Sequence, residues 1–291
     1  MDQPNQLIIN FTPTGMIPTK EMTPHVPISI SEIIEEVHQA VELGITMVHL
    51  HARDEKSGKP IHSASAYENI IAGIRKFDRE LILCVTTSGR DFPEFEKRSE
   101  VLELSGDVKP DMGSLTLSSL NFNLQASMNS PEMIQALANK MKERGIIPEL
   151  EAFDAGMINY AKYLNHKGII EPPHYINFLL GNIACAQADL LHAGMMVRDL
   201  PEDAYWAFAG IGNSQLMMNS IAIASGGGVR VGLEDNIWFD QKRTILAKNI
   251  DLIKRLHHVA EANERNILLA SEMRKLLNLQ AGNGKYGRRD T

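Results

Sequence analysis

Cysteine is scarce in this chain of 291 residues: Cys84 and Cys185 stand far apart inside apolar segments. That excludes a disulfide framework and a thiolate metal cluster, and predicts two core residues. No apolar run approaches the roughly 20 residues needed to cross a bilayer, so no membrane partner is expected. The opening MDQPNQLIINF lacks the basic region and small-residue cleavage site of a signal peptide, and the expectation is a cytoplasmic protein. Basic charge is in deficit too: 29 Lys and Arg face 36 Asp and Glu, a net of −7. Phosphate backbones call for a basic face, so nucleic acid is not an expected partner, though a small basic pocket for an anionic substrate stays open. The first turn after a strand, TPTGMIPTK at 12–20, lacks G-x-G-x-x-G and with it the dinucleotide cradle of a Rossmann sheet. Low-complexity tracts, linkers and short repeats are missing as well.

What is present is alternation. Strand-length apolar runs occur at 7–12, 46–52, 81–87, 112–117, 147–153, 175–181, 205–210 and 228–232, with longer helical patterns between them. Eight such units predict an α/β fold, a closed (β/α)8 TIM barrel with additional C-terminal helices, rather than an open doubly wound sheet. One domain over 1–291 is expected, with the barrel at about 7–262 and a C-terminal helix and tail at about 267–291. In SEIIEEVHQAVELG, Ile33, Ile34, Val37, Ala40 and Val41 form one stripe; Ser31 is the expected N-cap with Glu35 near the capping-box position, and Gly44 the stop. The closing QAGNGKYGRRDT reads as a loose tail or an arm toward a neighbouring subunit.

Barrel enzymes carry their chemistry at the C-terminal ends of the strands. On the second run, ITMVHLHARD, the period of two puts His49 and His51 on one face. Two imidazoles so placed can share a divalent cation, or can simply be hydrogen-bonded into the barrel mouth. In GGGVRVGLEDN, Glu234 can complete a His2Glu metal site while Arg230 and Asp235 form a charged dyad in which arginine favours the ionised carboxylate. A structural salt bridge with Glu234 as a solvated loop residue is the alternative. CVTTSGR places Thr86, Thr87 and Ser88 where hydroxyl and backbone donors suit an oxyanion or carboxylate. GSLTLSSLNF adds Ser114, Thr116, Ser118 and Asn121. Glu149 and Glu151 share one face of the fifth run, and inward carboxylates call for a cation or a metal.

Together TPTG, VHLHARD, TTSGR, the Ser114 segment ending in NF, PELEAFD, WAFAGIG and GGGVRVGLEDNI resemble the β-keto acid cleavage enzymes, the family typified by 3-keto-5-aminohexanoate cleavage enzyme, over nearly the whole chain. The resemblance implies a zinc-dependent barrel that condenses a β-keto acid with acetyl-CoA, giving acetoacetate and the CoA ester of the remaining acyl group. It further implies zinc on His49, His51 and Glu234, with Asp235 as base and Arg230 as its partner. Glu151 and Thr86 fall at catalytic positions, and Ser114 at a substrate-binding one, beside which Thr116 and Thr87 are candidates. Ile17 stands where the aminohexanoate enzyme has a glutamate for the substrate ammonium, and an isoleucine cannot pair with an ammonium. A keto acid with an apolar or neutral polar tail is then expected, an anionic tail if it reaches Arg53 or Arg90, or a trimethylammonium tail held by aromatic rings. The resemblance also implies a homotetramer, with SEMRKLLNLQ a candidate for subunit contacts.

A metal-dependent hydrolase of the amidohydrolase type also begins with HxH on a barrel strand. That family places the pair on the first strand and adds further strand-end histidines, for which only His174 offers itself here. A non-enzymatic metal-binding barrel has no need of the Arg230–Asp235 dyad. Asp54, beside the histidines, reads as a loop-structuring residue.

Overall fold

The computed structural model describes residues 4 to 289. In chain order its strands are β1 (Ile9–Phe11), β2 (Met47–Leu50), β3 (Ile82–Val85), β4 (Met112–Thr116), β5 (Leu120–Asn121), β6 (Ala126–Ser127), β7 (Ile147–Ala152), β8 (His174–Leu180), β9 (Ala204–Gly210) and β10 (Gly228–Val231). Eight of these close into a parallel barrel in the order β1-β10-β9-β8-β7-β4-β3-β2, while β5 and β6 form a small antiparallel hairpin after β4. This is the (β/α)8 barrel that the alternation predicts, with every expected strand present to within two residues at its ends.

Helices α1 (Ile30–Leu43), α2 (Ala64–Ile74), α3 (Phe95–Ser99), α4 (Pro131–Glu143), α5 (Ala155–His166), α6 (Leu190–Arg198), α7 (Gln215–Ala224) and α8 (Asn249–Ala262) surround the barrel, and α9 (Ala270–Leu276) follows it. The N-cap of α1 is Ser29, not Ser31: its Oγ accepts from Glu32 N while Glu32 Oε2 accepts from Ser29 N. Reciprocal capping needs a spacing of three, which Ser29 and Glu32 have and Ser31 and Glu35 do not.

Period-two alternation divides the side chains. Ile9, Phe11, Val48, Leu50, Leu83 and Val85 pack outward among the helices. Ile8, Met47, Ile82, Cys84, Met112, Ile147 and Tyr175 point inward and form a second apolar cluster at the lower, N-terminal end of the barrel. Cys84 is thus the core residue expected, whereas Cys185 is only partly buried.

That inner cluster is completed by Leu268, Met273, Leu277 and Leu279, so α9 and the chain after it close the barrel floor. The described part of the C-terminal stretch is therefore docked, not loose. Its anchor is Asp111, wholly buried just before β4. Asp111 accepts from Arg274 Nη1 and Nη2 at 2.9 and 2.8 Å, from Arg75 Nη2 at 3.2 Å, and from the backbone N–H groups of Leu83 and Gly287 at 3.1 Å. Tyr286, also buried, lies under the Arg75 guanidinium.

Removing Asp111 strands two buried arginines. Asp111→Ala is expected to cost about 3–5 kcal/mol in urea unfolding. A loss below about 1 kcal/mol, the scale of an exposed ion pair, would show that the floor does not depend on this anchor.

Candidate active site

Above the apolar floor the inward residues turn polar. Asn10, His49, Ser114, Glu149, Asn177 and Arg230 belong to the inward-facing series of β1, β2, β4, β7, β8 and β10, and all are buried. Glu149 is the hub of this layer. It accepts from Asn10 Nδ2 at 2.6 Å, Asn177 Nδ2 at 2.7 Å and Cys84 Sγ at 3.2 Å, and pairs with His49 Nδ1 at 2.5 Å. Burial alone would raise the Glu149 carboxyl, but His49 and the surrounding donors hold it below its ordinary value. Conversely, burial opposes a charge on His49, yet Glu149 and Glu234 raise it above the histidine norm. With Nδ1 engaged on a carboxylate, the ring is fixed so that Nε2 faces the barrel mouth.

There His49 Nε2 and His51 Nε2 lie 3.1 Å apart, and Glu234 Oε1 is 3.3 Å from His51 Nε2. The ligand atoms of His49, His51 and Glu234 all fall within 4.8 Å of one another. Glu234 Oε2 is buried without any hydrogen-bond partner. Burial outweighs Glu234 at His51 and lowers its pKa, which favours the neutral, lone-pair form that binds cations. Two imidazole nitrogens, a carboxylate oxygen and an orphaned carboxylate oxygen fit a divalent cation well.

The loop that follows β10 brings carboxylates onto one guanidinium. Arg230 Nη2 donates to Glu234 Oε1 at 2.6 Å, Nε and Nη2 to Asp235 at 3.1 and 3.3 Å, and Nη1 to Glu151 Oε1 at 3.3 Å. Thr116 Oγ1 also donates to Glu151, at 2.7 Å. The expectation that Arg230 holds Asp235 low needs correcting. Burial pushes the Asp235 carboxyl above its ordinary value against the pull of Arg230, because that one cation is divided among three acids and Glu234 repels a further charge. Glu151 is raised for the same leading reason. A buried carboxylate with a raised pKa is a stronger base than a solvated one.

A cavity of about 250 Å³ opens over these groups. His49, His51, Thr86, Thr116, Glu151, Arg230, Glu234, Asp235 and Ile17 all line it, with Met16, Phe122, Phe153, Leu179 and Ile211 as apolar wall. Ser114 and Thr87 do not. Ser114 Oγ accepts from Thr87 N and its carbonyl accepts from Thr87 Oγ1, so the expected pair of substrate contacts is spent tying the end of β3 to β4. Arg53 is spent likewise: Nε, Nη1 and Nη2 each donate at 2.8 Å to the carbonyls of Gly15, Gly58 and Pro18. His174 sits at the start of β8, the opposite end from the cavity, bonded to Asn165. Asp54 accepts from Ser57 N and Oγ within its own turn. Asn10 and Asn177 are not among the expected site residues, and the signal that finds them is an asparagine on the inward face of an apolar run.

Gly15, in the TPTG motif, lies against Glu234. Its φ is +65°, and a Cβ there would stand 2.5 Å from Glu234 Cγ. Only glycine permits both the left-handed backbone and that approach.

Buried charge of this density at the C-terminal ends of a closed barrel defines a (β/α)8 enzyme. Known proteins narrow the class. The family model for beta-keto acid cleavage enzyme matches residues 6–279. A 3-oxoadipate:acetyl-CoA acetyltransferase of Cupriavidus necator is 36% identical over 282 residues, covering 96% of each chain. The 3-keto-5-aminohexanoate cleavage enzyme of Fusobacterium nucleatum is 34% identical, over 94% of this chain and 98% of that one. The 3-dehydrocarnitine:acetyl-CoA trimethylamine transferase of Rhizobium meliloti is 30% identical, over 94% and 97%. In fold, ObcA in ternary complex with a C4-CoA adduct and oxalate superposes with TM-score 0.78 at 20% identity, over 88% of this chain and 68% of that one. The chain belongs to the beta-keto acid cleavage enzyme family.

Gly15→Ala displaces Glu234 from His51 and Arg230 and is expected to lower turnover about 10–100-fold, the range for disturbed support of a site side chain, while the circular dichroism spectrum persists. Unchanged turnover would show that the close approach is dispensable.

Proposed function

We propose that the protein is a zinc-dependent enzyme that condenses a β-keto acid with acetyl-CoA, giving acetoacetate and the CoA ester of the remaining acyl group. The observation that carries the metal is the convergence of His49 Nε2, His51 Nε2 and a Glu234 carboxylate with one orphaned oxygen. Charge supports it: the direct ion pairs of Glu149, Glu151, Glu234 and Asp235 are shared between Arg230 and the two histidines, an excess of carboxylates that a divalent cation offsets. Three protein ligands with an open position suit catalytic zinc. Bound zinc supplies Lewis-acid polarisation of the substrate's keto and carboxylate oxygens.

The remaining work falls to side chains. Asp235, oriented by two hydrogen bonds from Arg230, removes the proton between keto and carboxylate groups. The carbon so activated attacks the thioester carbonyl of acetyl-CoA; a C–C bond forms, the C–S bond breaks and CoA leaves as thiolate. The thiolate adds to the original keto carbon, the bond from that carbon to its activated neighbour breaks, and acetoacetate recovers the proton from Asp235. Thr86, on the cavity wall, offers its hydroxyl to substrate oxygen. Ser114 acts at one remove by fixing the Thr87 peptide, and Glu151 by sharing Arg230.

The hydrolase alternative is disfavoured by HxH on the second strand and by His174 lying at the far end. A homotetramer belongs to the same proposal: Ile183 in the loop before α6 and Leu190 and Leu191 at its start are each exposed, apolar side chains that a neighbouring copy would cover.

With a panel of β-keto acids, acetoacetate and a new acyl-CoA are expected only when acetyl-CoA is present. Cleavage without CoA would favour hydrolysis. Elemental analysis is expected to find zinc bound to the wild type and lost from His51→Ala, and full activity in a zinc-free variant would sink the metal assignment. Asp235→Asn is expected to keep zinc but lose deuterium exchange at the substrate α-carbon, and unchanged exchange would remove Asp235 as the base.

A further inference from the structure

We propose that Arg90 is the seat for a second carboxylate, making the preferred substrate a β-keto dicarboxylic acid; this rests on the β-keto acid reading above. Arg90 follows β3 in TTSGR and lines the same cavity as the two histidines. Its guanidinium lies 3.6 Å above the Phe122 ring. Phe122 belongs to the turn of the β5–β6 hairpin and is braced edge-on by Phe153. Arg98 holds this hairpin against the end of β3, donating to the carbonyls of Thr87 and Met128 and to Asn129 Oδ1. The guanidinium is therefore positioned by built structure and not by chance.

What distinguishes it from the other arginines nearby is a side chain without a hydrogen-bond or ion-pair partner among the described residues, on which Glu234, Asp91 and Glu151 act only from beyond ion-pair distance. Arg53 and Arg98 are consumed by carbonyl groups and a side-chain amide, and Arg230 by three carboxylates. Arg90 makes no side-chain hydrogen bond or ion pair to any described residue, and its Nε is buried without a partner. A half-buried, unpaired guanidinium is costly until an anion meets it, and its planar fork matches a carboxylate. Glu151, Glu234 and Asp235 already face Arg230. The wall shared with Arg90 is apolar, formed by Met16, Ile17, Phe122, Leu179 and Ile211, as suits the methylenes of a short tail.

The same geometry excludes cationic tails. Ile17 has no charge for an ammonium, and the Phe122 face that would take a trimethylammonium group carries Arg90 already. The nucleotide phosphates of CoA are a poorer match, because a cavity of about 250 Å³ falls below the roughly 300–1,000 Å³ of sites that enclose drug-sized ligands.

The test pairs β-keto dicarboxylates of increasing chain length with monocarboxylates of equal length ending in methyl, each with acetyl-CoA and the zinc-loaded enzyme. The wild type is expected to favour the dicarboxylate in kcat/KM at its best length. Arg90→Met is expected to lower that ratio on the order of 100-fold or more, and Arg90→Lys to restore part of it. Acetoacetate formed with a preference for methyl-terminated acids would overturn the inference while leaving the proposed reaction intact. An equal loss for both partners of a pair would assign Arg90 to the carboxylate they share, and a raised KM for acetyl-CoA would assign it to the thioester substrate; either overturns it. Acetoacetate from neither class would instead remove the reaction on which it rests.

Discussion

One guanidinium joins the end of β7 to the loop after β10, and the mouth of the barrel is arranged around it. Arg230 projects inward from the last barrel strand, almost wholly buried, and divides its donors among Glu151, Glu234 and Asp235. A lysine has the charge but not the fork, and cannot hold three acids in fixed directions at once. Because the attraction is shared, none of the three is fully neutralised. Burial then decides how each behaves: Glu234, nearest the arginine and the histidines, is held low, whereas Asp235 and Glu151 are pushed up. Three acids of similar intrinsic strength thereby come to differ, as the proposed division into a ligand and a base requires.

This concentration of charge is tolerable only because the rest of the barrel interior is divided into layers. Below lies an apolar floor finished by the C-terminal segment and pinned through Asp111. Between floor and mouth is the Glu149 layer, in which Asn10, Asn177, Cys84 and His49 donate to one carboxylate. That layer passes a rigid orientation upward to His49 without adding unpaired charge. Polarity thus rises in steps toward the C-terminal ends of the strands, and the Glu149 carboxylate in the middle step is satisfied by the donors around it.

Much of this is legible in the sequence. Period two assigns inward and outward faces, which is why eight strands, the inward glutamates and the shared face of His49 and His51 can be read directly. RVGLEDN can be read because its residues are neighbours in the chain. Contacts made at long range are not legible. Asp111 gives no sign that it gathers Arg75, Arg274 and Gly287, so the tail reads as loose. Ser114 and Thr87 read as substrate contacts because hydroxyls at strand ends are common, and only the register of β3 against β4 reveals that they bind each other. The Asp235 shift is illegible for a third reason: depth of burial sets its direction, and depth is a property of the whole barrel.

Arg53 and Arg90 make the point most sharply. Both stand just past the ends of adjacent strands, two residues after His51 and three after Thr87. Their surroundings part them. Arg53 meets the β1–α1 loop, whose carbonyls at Gly15 and Pro18 absorb its donors, and in holding that loop it keeps Gly15 against Glu234 and Ile17 over the cavity. Arg90 meets an aromatic ring, which accepts a cation's face and leaves its edge donors free. One arginine therefore shapes the wall of the site and the other presents its charge to the interior. The choice between those roles is made not by either arginine but by whether carbonyls or a phenyl ring wait opposite, so the charge presented to this cavity is decided in the loops while the barrel layers beneath hold His49 and Arg230 in place.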